Sequence, residues 1–396
     1  MLRIAVEGDA PLRNWGRVLG LGLLALASIA LIRDTAYQGQ DFSVFWRAAR
    51  NLLEGRSLYE LGRDGAMVFK YPPWIAPLFI PLALLPLLVA KWVWGVIQLL
   101  MLAYCVRWTR FRAQESAWVW TGLVGFWGIW AVHAMDGQIS LLVLAGTLWA
   151  KERDTWVSRL IALLLLSTKI FTLFALFGWM IPDWRRLGRD AIWKWGGTAA
   201  LGALVFVGLS LPANRFQSVG RGGYALLTSW SDAAGSGGTQ FEDQKVRGRD
   251  NQGFPALLLR MTHVRANEAE WDLKCFLILA TAALAVLFGL AKYFASDQIF
   301  AIGLGLTAVV HPLAWFHLFV FAYPLVVLAL DGVAASRRTR ALGVAISGAA
   351  AVSLLTRGTL GGVGVTLELL SIKSWGVVVL ISIWTATRRF KDASPV

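Results

Sequence analysis

The chain has 396 residues, of which 57% are hydrophobic and only 16% are charged, and its mean hydropathy is +0.58. A soluble domain of this length does not need so much apolar surface, so the composition excludes one and predicts an all-α membrane protein with many spans. The formal charge of +14 comes from 38 basic against 24 acidic residues. The basic residues form short clusters beside apolar segments, a pattern typical of membrane topology rather than of nucleic-acid binding.

Basic clusters predict which ends of the spans are cytoplasmic, because Lys and Arg are enriched on that side. The clusters are Arg3/Arg13/Arg17, Arg107/Arg110/Arg112, Lys151/Arg153/Arg159, Arg185/Arg186/Arg189/Lys194, Arg337/Arg338/Arg340 and Arg388/Arg389/Lys391. With all of them inside, both termini are cytoplasmic, and the first span, 18–33, is retained rather than cleaved. Cys105 and Cys275 lie in apolar segments and indicate no disulfide framework.

The first outer loop, residues 34–89, ends in a segment with prolines at positions 73, 77, 81 and 86. Interior prolines break helices, so residues 74–88 are expected at the membrane interface, with 90–107 as the return span. Residues 117–133 and 138–150 are predicted to form a hairpin with an outer turn between them.

Residues 159–182 are too few for two full spans of ~20 residues each. A re-entrant hairpin with Lys169 near its tip is expected there, and the alternative is one ordinary span. Lys169 itself has a second interpretation, since a lone lysine at a span often extends to the interface without any other role.

A hydrophilic stretch, residues 212–271, forms the long outer loop, and its Gly235-Ser236-Gly237-Gly238 core is expected to be mobile. The remaining predicted spans are 192–211, 273–293, 298–311, 314–331, 341–356 and 372–387. Counting the re-entrant pair as two, the chain has about 12 membrane helices in a single domain, 1–396. No internal repeat is visible, which argues against a transporter built from paired halves.

The polar outliers gather at the predicted outer ends of the spans. Asp41 is the leading catalytic candidate, since an acid at the mouth of a span is costly near lipid unless it pairs or acts. The structural alternative is that Asp41 caps a helix beginning at Phe42. The other polar residues at these ends are Tyr59, Lys70, Tyr71, Asp136, Gln138, Lys169, Asn251, Gln252, Arg260, His311 and His317. A site facing the extracytoplasmic side is therefore predicted.

Short motifs along these outer segments carry a family resemblance. The first outer loop contains Asp41-Phe-x-x-Phe-Trp-x-Ala-Ala, then Leu-x-x-Gly-x-x-Leu-Tyr59, then Phe69-Lys70-Tyr71-Pro72-Pro73. Gly137-Gln138, Lys169, Asn251-Gln252 and the segment 311–317 with Trp315 follow in order. Together they resemble glycosyltransferase family 87, membrane enzymes of the GT-C type that include mycobacterial-type alpha-mannosyltransferases. The chain departs from the family pattern at Ser140, Ile170, Gly253, His311 and Ala314.

The resemblance implies transfer of a sugar from a polyprenyl-phosphate donor to a glycan or glycolipid acceptor, with inversion at the anomeric carbon. The enzyme would lie in the plasma membrane with its active site on the extracytoplasmic side. Mannose is the first candidate sugar and arabinofuranose the second. In the family, the acid at the position of Asp41 is the proposed base, which takes the proton of the acceptor hydroxyl.

Fixed cations stabilise a departing phosphate without a metal, which makes Lys169, Arg260 and Lys70 the donor-phosphate candidates. His317 is the second catalytic candidate, hydrogen-bonding the phosphate or the acceptor. The substrate-binding candidates are Tyr59, Tyr71, Gln138, Asn251, Gln252 and Trp315. No cofactor is expected, and no pair of acids has the spacing of a metal site. For Asp136 the favoured interpretation is a turn-forming role with Gly137, and for His311 a structural hydrogen bond.

Two other function classes fit the same sequence. A lipid or sugar transporter is compatible with the number of spans, although transporters place polar residues at mid-membrane on broken helices. A non-catalytic membrane scaffold, or a relative that modifies lipid A, is the other. Sugar transfer by the purified protein separates the glycosyltransferase from both.

Overall fold

The computed structural model describes residues 25–64, 67–217, 228–230, 233, 248–262 and 269–392, and within these ranges the protein is α-helical. The start of the first span and the Gly235-Ser236-Gly237-Gly238 segment lie outside the described residues. The longer helices are α1 (25–37), α2 (Gln40–Leu53), α3 (Leu87–Arg110), α4 (Ser116–Gly125), α5 (Trp127–Asp136), α6 (Ser140–Arg153), α7 (Trp156–Leu166), α8 (Ala175–Leu187), α9 (Arg189–Gln217), α10 (Phe254–Thr262), α11 (Ala269–Leu290), α12 (Ser296–Val310), α13 (Tyr323–Ala334), α14 (Thr339–Ser353), α15 (Arg357–Leu369) and α16 (Ile372–Asp392). Shorter one-turn and 3-10 segments are Leu61–Asp64, Pro73–Phe79, Ile80–Ala83, Ile170–Phe174 and Phe316–Ala322.

Several of the described helices are long and apolar enough to cross a membrane. Three segments meet this condition alone: Leu87–Arg110, Arg189–Pro212 and Phe316–Ala334. Two bent helix pairs, α5 with α6 and α14 with α15, meet it together and raise the number to 5. The protein is therefore an all-α membrane protein, and the expected total of about 12 helices stays a prediction.

The helices run between two ends, which their polar contacts define. We call one the ion-pair end: there Arg112 contacts Asp297 at 2.7 Å and Lys151 Nζ donates to Ser296 Oγ at 2.9 Å. Lys194 joins the same end through Asp154 and Asp183. We call the other the site end, and it carries Asp41, Asp136, Lys169 and His317. Helix α6 connects them, since it starts at Ser140 near the site end and finishes after 14 residues, ~20 Å, beside Asp154.

Residues 156–187 form a hairpin between these ends. Helix α7 starts just after Asp154, and Asp183 lies towards the end of α8. The ammonium of Lys194 contacts both carboxylates, at 2.8 Å for Asp154 and 2.7 Å for Asp183, so the two ends of the segment lie together. Lys169, in the break between the helices, is therefore at the tip. The single-span alternative is wrong, because one span would separate the two carboxylates by its whole length.

The core of the bundle is built from α12 and the segment that follows it. Every residue of α12 from Ile299 to Val310 is buried, and residues 317–331 are buried as completely. Helix α12 packs closely on α8, because a Cβ on Gly303 would lie only 2.8 Å from the Cα of Gly178. Small residues allow such close approach between membrane helices. The most enclosed helices thus present His311 and His317 at the site end.

The proline-rich segment is broken, as its prolines predict, and its place at the membrane interface stays a prediction. It forms a 3-10 helix, Pro73–Phe79, and one α-turn, Ile80–Ala83, and α3 starts directly after Pro86. The indole Nε1 of Trp46 in α2 donates to the Leu85 carbonyl at 3.0 Å. The broken segment therefore serves as a platform on which α2 lies.

Two predicted spans differ in the structure, and one helix was not predicted. The span expected over 117–133 is interrupted at Phe126, whose buried ring packs on Trp130 and Tyr323 just after the weak helix former Gly125. The span expected over 314–331 opens as a 3-10 helix and becomes α-helical only at Tyr323. Helix α15 was not expected, because its glycines disfavour a helix; it is held by the Glu368 carboxylate, which accepts the Arg357 N–H at 2.8 Å.

Candidate functional site

Helix α2 carries Asp41 and lies on the bundle through one apolar face. Phe42, Phe45 and Ala49 are buried there at the i, i+3, i+7 spacing of an amphipathic helix. The Phe42 ring stacks on Trp94 of α3 at 5.3 Å, and the Phe45 ring stacks on Phe79 at 4.7 Å. These contacts fix α2 from two sides and so determine where its first turn lies.

Asp41 lies in that first turn but does not cap the helix. Helix α2 begins at Gln40, its N-cap is Gly39, and no side chain makes a capping hydrogen bond. The Asp41 carboxylate instead accepts a hydrogen bond from the amide Nε2 of Gln138, in the turn between α5 and α6. The capping alternative is therefore wrong, and two of the predicted site residues meet in space.

Gly137 makes the Asp41–Gln138 contact sterically possible. Its φ of 67° lies in the left-handed region that favours glycine, and it ends α5 before the chain bends by 114° into α6. A Cβ at this position would lie 2.9 Å from the Cβ of Phe42 and 3.0 Å from the Cα of Gly39. The start of α2 therefore packs directly against the turn, which a larger residue would prevent.

Lys169 and His317 form the second part of the same cluster. The Lys169 Nζ lies 3.1 Å from His317 Nε2, and His317 Nδ1 lies 4.0 Å from an Asp136 carboxylate oxygen. An ammonium only donates, so Nε2 accepts and the neutral ring carries its proton on Nδ1, facing Asp136. The charge of Lys169 also interacts with those of Asp41 and Asp136. One ammonium therefore lies between two carboxylates and beside a neutral imidazole.

Tyr59 and Tyr71 form an aromatic wall next to Asp41. The Tyr59 hydroxyl donates to the Tyr71 carbonyl at 2.7 Å, and the Tyr71 ring lies 4.5 Å from that of Phe45. Burial, and then the negative charge of Asp41, raise the pKa of the Tyr71 phenol well above its usual value. Tyr71 is therefore a neutral donor close to the carboxylate.

Lys70 connects the first outer loop to the long outer loop, and Trp74 connects it to the Lys169 hairpin. The Lys70 carbonyl accepts from Trp230 Nε1 at 3.1 Å, and Trp74 Nε1 donates to Ser167 Oγ at 2.8 Å. The Trp74 ring also stacks on Phe206 of α9 at 4.8 Å. The loop that contains Tyr71 is thus anchored two residues before Lys169.

Asn251 and Gln252 hold the loop that leads into His317. Asn251 donates through Nδ2 to the Pro312 carbonyl at 2.7 Å and accepts the Ala314 N–H at 3.0 Å. The Gln252 N–H donates to the Ala314 carbonyl at 2.9 Å, and Asn251 forms a β-bridge with Trp315. His311 makes the expected structural hydrogen bond, accepting the Leu313 N–H at 3.0 Å. These amides therefore shape the site through the backbone of residues 311–315.

Arg260 lies in the same support rather than with Lys169. Its guanidinium donates to the carbonyls of Gly248, Asn251 and Leu369 at 3.2, 3.1 and 2.8 Å. It also donates to Ser371 Oγ at 2.7 Å, and burial lowers its pKa to about 10. Arg260 therefore ties the Asn251 loop to the junction between α15 and α16.

The family model of glycosyltransferase family 87 matches residues 69–312, more than half of the chain. The protein belongs to glycosyltransferase family 87. Neither a curated protein nor a solved structure matches this chain. The family 87 match includes Gln138, Lys169 and Asn251, whereas Asp41 precedes its first residue, Phe69, and His317 follows its last, Pro312. The candidate site of this glycosyltransferase thus contains residues from the matched region together with one residue from before it and one from after it.

The structure also places near this cluster residues that were given no site role from the sequence. Asp136, interpreted as a turn residue, faces His317. His133, Gln98 and Thr35 form a buried polar group beneath the same turn, with His133 Nδ1 at 2.9 Å from Gln98 Oε1. A signal for them existed, because a glutamine within α3 and a histidine within α5 interrupt otherwise apolar helices.

Proposed function

We propose that this glycosyltransferase transfers a sugar, mannose in the first instance, from a polyprenyl-phosphate donor to a glycan or glycolipid acceptor. The observation that carries the proposal is the convergence of a carboxylate, Asp41, and a half-buried ammonium, Lys169, in one cluster at the end of an apolar bundle. These are the two charges that such a transfer requires, one to accept a proton and one to hold a departing phosphate.

Asp41 acts as the general base. The acceptor hydroxyl attacks the anomeric carbon and its proton passes to the Asp41 carboxylate, while the bond from that carbon to the phosphate oxygen breaks. A single displacement of this kind inverts the anomeric configuration. The Gln138 amide holds one oxygen of Asp41 in place, and the neutral Tyr71 is available to the sugar or acceptor.

Lys169 and His317 receive the departing polyprenyl phosphate. A lysine at the tip of a hairpin offers a fixed positive charge, which stabilises the phosphate as the bond to the sugar breaks. Lys70 is the second phosphate ligand, and Arg260 supports the site through the Asn251 loop. Gln252 is fully buried and its amide donates to the Glu368 carbonyl at 2.6 Å, so it belongs to the same support. Tyr59 and Trp315 complete the walls that bind substrate.

The polyprenyl chain lies along the apolar surface next to Trp74. Helix α9, whose Phe206 stacks on Trp74, exposes Leu204, Val207 and Leu211 on its outer face. A polyprenyl chain bound there has its phosphate near Lys169, because Trp74 contacts Ser167, two residues before Lys169. The site end faces the extracytoplasmic side of the plasma membrane, in a GT-C-type arrangement of about 12 helices.

Sugar transfer by purified protein tests the proposal. We expect label to pass from radiolabelled mannosyl phosphoryl polyprenol to an extracted glycolipid acceptor, and Asp41→Asn to reduce turnover on the order of 10²-fold or more, because the amide cannot accept the proton. Asp34→Asn, which removes a carboxylate at the surface that pairs with Arg33, is the matched control and should retain activity. Retained turnover in Asp41→Asn would remove the base assignment, and transfer only from an arabinofuranosyl donor would replace mannose.

A further inference from the structure

Residues beneath the Asp136–Gln138 turn form one continuous chain of hydrogen bonds. His133 is 1% exposed; its Nε2 lies 2.9 Å from the Leu141 N–H, and its Nδ1 lies 2.9 Å from Gln98 Oε1. A backbone N–H can only donate, so Nε2 accepts and the neutral ring donates from Nδ1 to Gln98. The tautomer of His133 is thereby fixed from both sides.

The chain continues from Gln98 back to the turn where it started. With its oxygen occupied by His133, the Gln98 amide directs Nε2 towards Thr35 Oγ1, 3.5 Å away. The Thr35 hydroxyl in turn shares its one hydrogen between the Ala134 carbonyl at 2.9 Å and the Leu31 carbonyl of its own helix at 3.0 Å. Every donor points in one direction, from the Leu141 N–H to the Ala134 carbonyl. The network therefore closes a loop around residues 134–141.

Two further hydrogen bonds hold the same segment. The His133 carbonyl accepts the Gln138 N–H at 3.1 Å, and the Trp94 indole Nε1 donates to the Gly137 carbonyl at 3.1 Å. His133 thus contacts the turn through both its backbone and its side chain. The segment held in this way contains Gln138, which contacts Asp41, and Asp136, which faces His317.

We infer that His133 is a positioning residue of the transferase site, which acts through the 134–141 turn to hold Gln138 against Asp41. This inference rests on the proposed function for its kinetic consequence, but not for its geometry. A buried polar network can also serve only to join helices in a membrane. The two roles differ in one respect: a positioning role requires coupling between His133 and Gln138, whereas a purely structural role does not.

Two substitutions of His133 separate its two side-chain contacts. His133→Gln keeps an acceptor near the position of Nε2, so the Leu141 contact is retained while the donation to Gln98 is lost. His133→Asn keeps a donor near the position of Nδ1, so the Gln98 contact is retained while the link to the turn is lost. We expect kcat to fall at least tenfold in His133→Asn, with little change in donor KM, and to fall several-fold less in His133→Gln. A network that only joins helices gives the reverse order or equal losses.

The coupling is tested by adding Gln138→Ala. If His133 acts through Gln138, His133→Asn lowers kcat by less than about twofold in the Gln138→Ala background, since the contact that it positions is already absent. Multiplicative losses in the double variant, with equal melting temperatures of the two single variants, would overturn the inference.

A substrate-independent measurement distinguishes failure of this inference from failure of the proposed function. In a Cys105→Ala, Cys275→Ala background, cysteines at positions 41 and 138 should be joined by a short bifunctional methanethiosulfonate, because the two side chains are in contact. The background protein without the two added cysteines is the blank. We expect the rate of cross-linking to fall in His133→Asn and to persist in His133→Gln. Equal rates in both would overturn the positioning role, whether or not the protein uses a polyprenyl donor.

Discussion

At the scale of single residues, the cluster at the site end has more negative than positive charge before any substrate binds. Asp41 and Asp136 contribute two carboxylates, and Lys169 is an ammonium whose charge interacts with both. The donor phosphate adds a further negative charge, so Lys169 is the group on which its binding depends most. A surface lysine has no such role, because its charge is screened by water and salt.

Replacing Lys169 tests this dependence. Lys169→Met keeps the apolar stem and deletes the charge, so we expect donor KM to rise and kcat to fall, each by about tenfold or more, for loss of a charge-assisted contact in a buried site. Lys169→Arg should do less harm, although the wider guanidinium does not fit the place of an ammonium. Lys91→Met is the matched control, since Lys91 is another lone lysine on an apolar helix and donates to the Gln38 carbonyl at 3.3 Å. Equal, twofold changes in both Met variants would favour the interfacial role for Lys169.

Single site residues were predictable from the sequence where short motifs identify them, and less so where their contacts depend on tertiary packing. Asp41, Gln138, Lys169 and His317 were identified from motif order, and the structure brings them together. Arg260 was grouped with them because it is a cation near an outer end, but its partners are backbone carbonyls of residues 248, 251 and 369. Such partners come from tertiary packing and leave no pattern in the sequence.

At the scale of elements, the contact between α2 and the α5–α6 turn depends on the absence of a side chain at Gly137. Gly137→Ala adds a Cβ 2.9 Å from that of Phe42 and places alanine at a φ of 67°. The backbone strain costs ~1–2 kcal/mol and the overpacking about 1–3 kcal/mol, so we expect a lower melting temperature. We also expect a large loss of kcat, because relief of the clash moves Asp41 away from Gln138.

Gly188→Ala provides the control for strain alone. Gly188 also has a positive φ, 56°, but no atom lies within 4 Å of an added Cβ, and it lies near the ion-pair end. This variant should lose stability while the folded fraction keeps its specific activity. A Gly137→Ala protein with reduced stability and full specific activity would contradict the steric account of the site.

Helices were predictable from the sequence where an apolar run is continuous and is bounded by a proline or by basic residues. The return span expected over 90–107 is found as α3, Leu87–Arg110, which follows Pro86 and ends in arginines. Helix α15 was missed, because four glycines within thirteen residues outweigh its apolar content in any propensity argument. The Glu368 carboxylate that holds its start comes from eleven residues further along the chain.

At the scale of the whole molecule, the distribution of charge distinguishes the end proposed for catalysis from the opposite end. At the ion-pair end several basic residues pair with acids, as in Arg112–Asp297 and Lys194–Asp183, and the Asp331 carboxylate accepts two backbone N–H groups at 2.9 and 3.0 Å. These contacts join the end of α3 to α12, α9 to α8, and the segment before α4 to α13, so that end holds helices together. At the site end the charges lie in one cluster. This cluster contains residues of the family match together with Asp41 and His317, which lie outside the match.

The direction in which the site end faces is tested by cysteine labelling in intact cells. Glu60 is exposed in the loop that carries Tyr59, and Arg338 is exposed beyond Asp331 at the ion-pair end. The excess of Lys and Arg at the ion-pair end predicts that it is cytoplasmic. We expect Glu60→Cys to react with an impermeant maleimide from outside and Arg338→Cys to react only after the membrane is opened. The unsubstituted protein, whose two cysteines are buried, should stay unlabelled in both states. Labelling of Arg338→Cys alone from outside would reverse the predicted orientation, and the donor would then have to be a cytoplasmic one. Labelling of both variants from one side would mean that the two ends do not lie on opposite faces of the membrane.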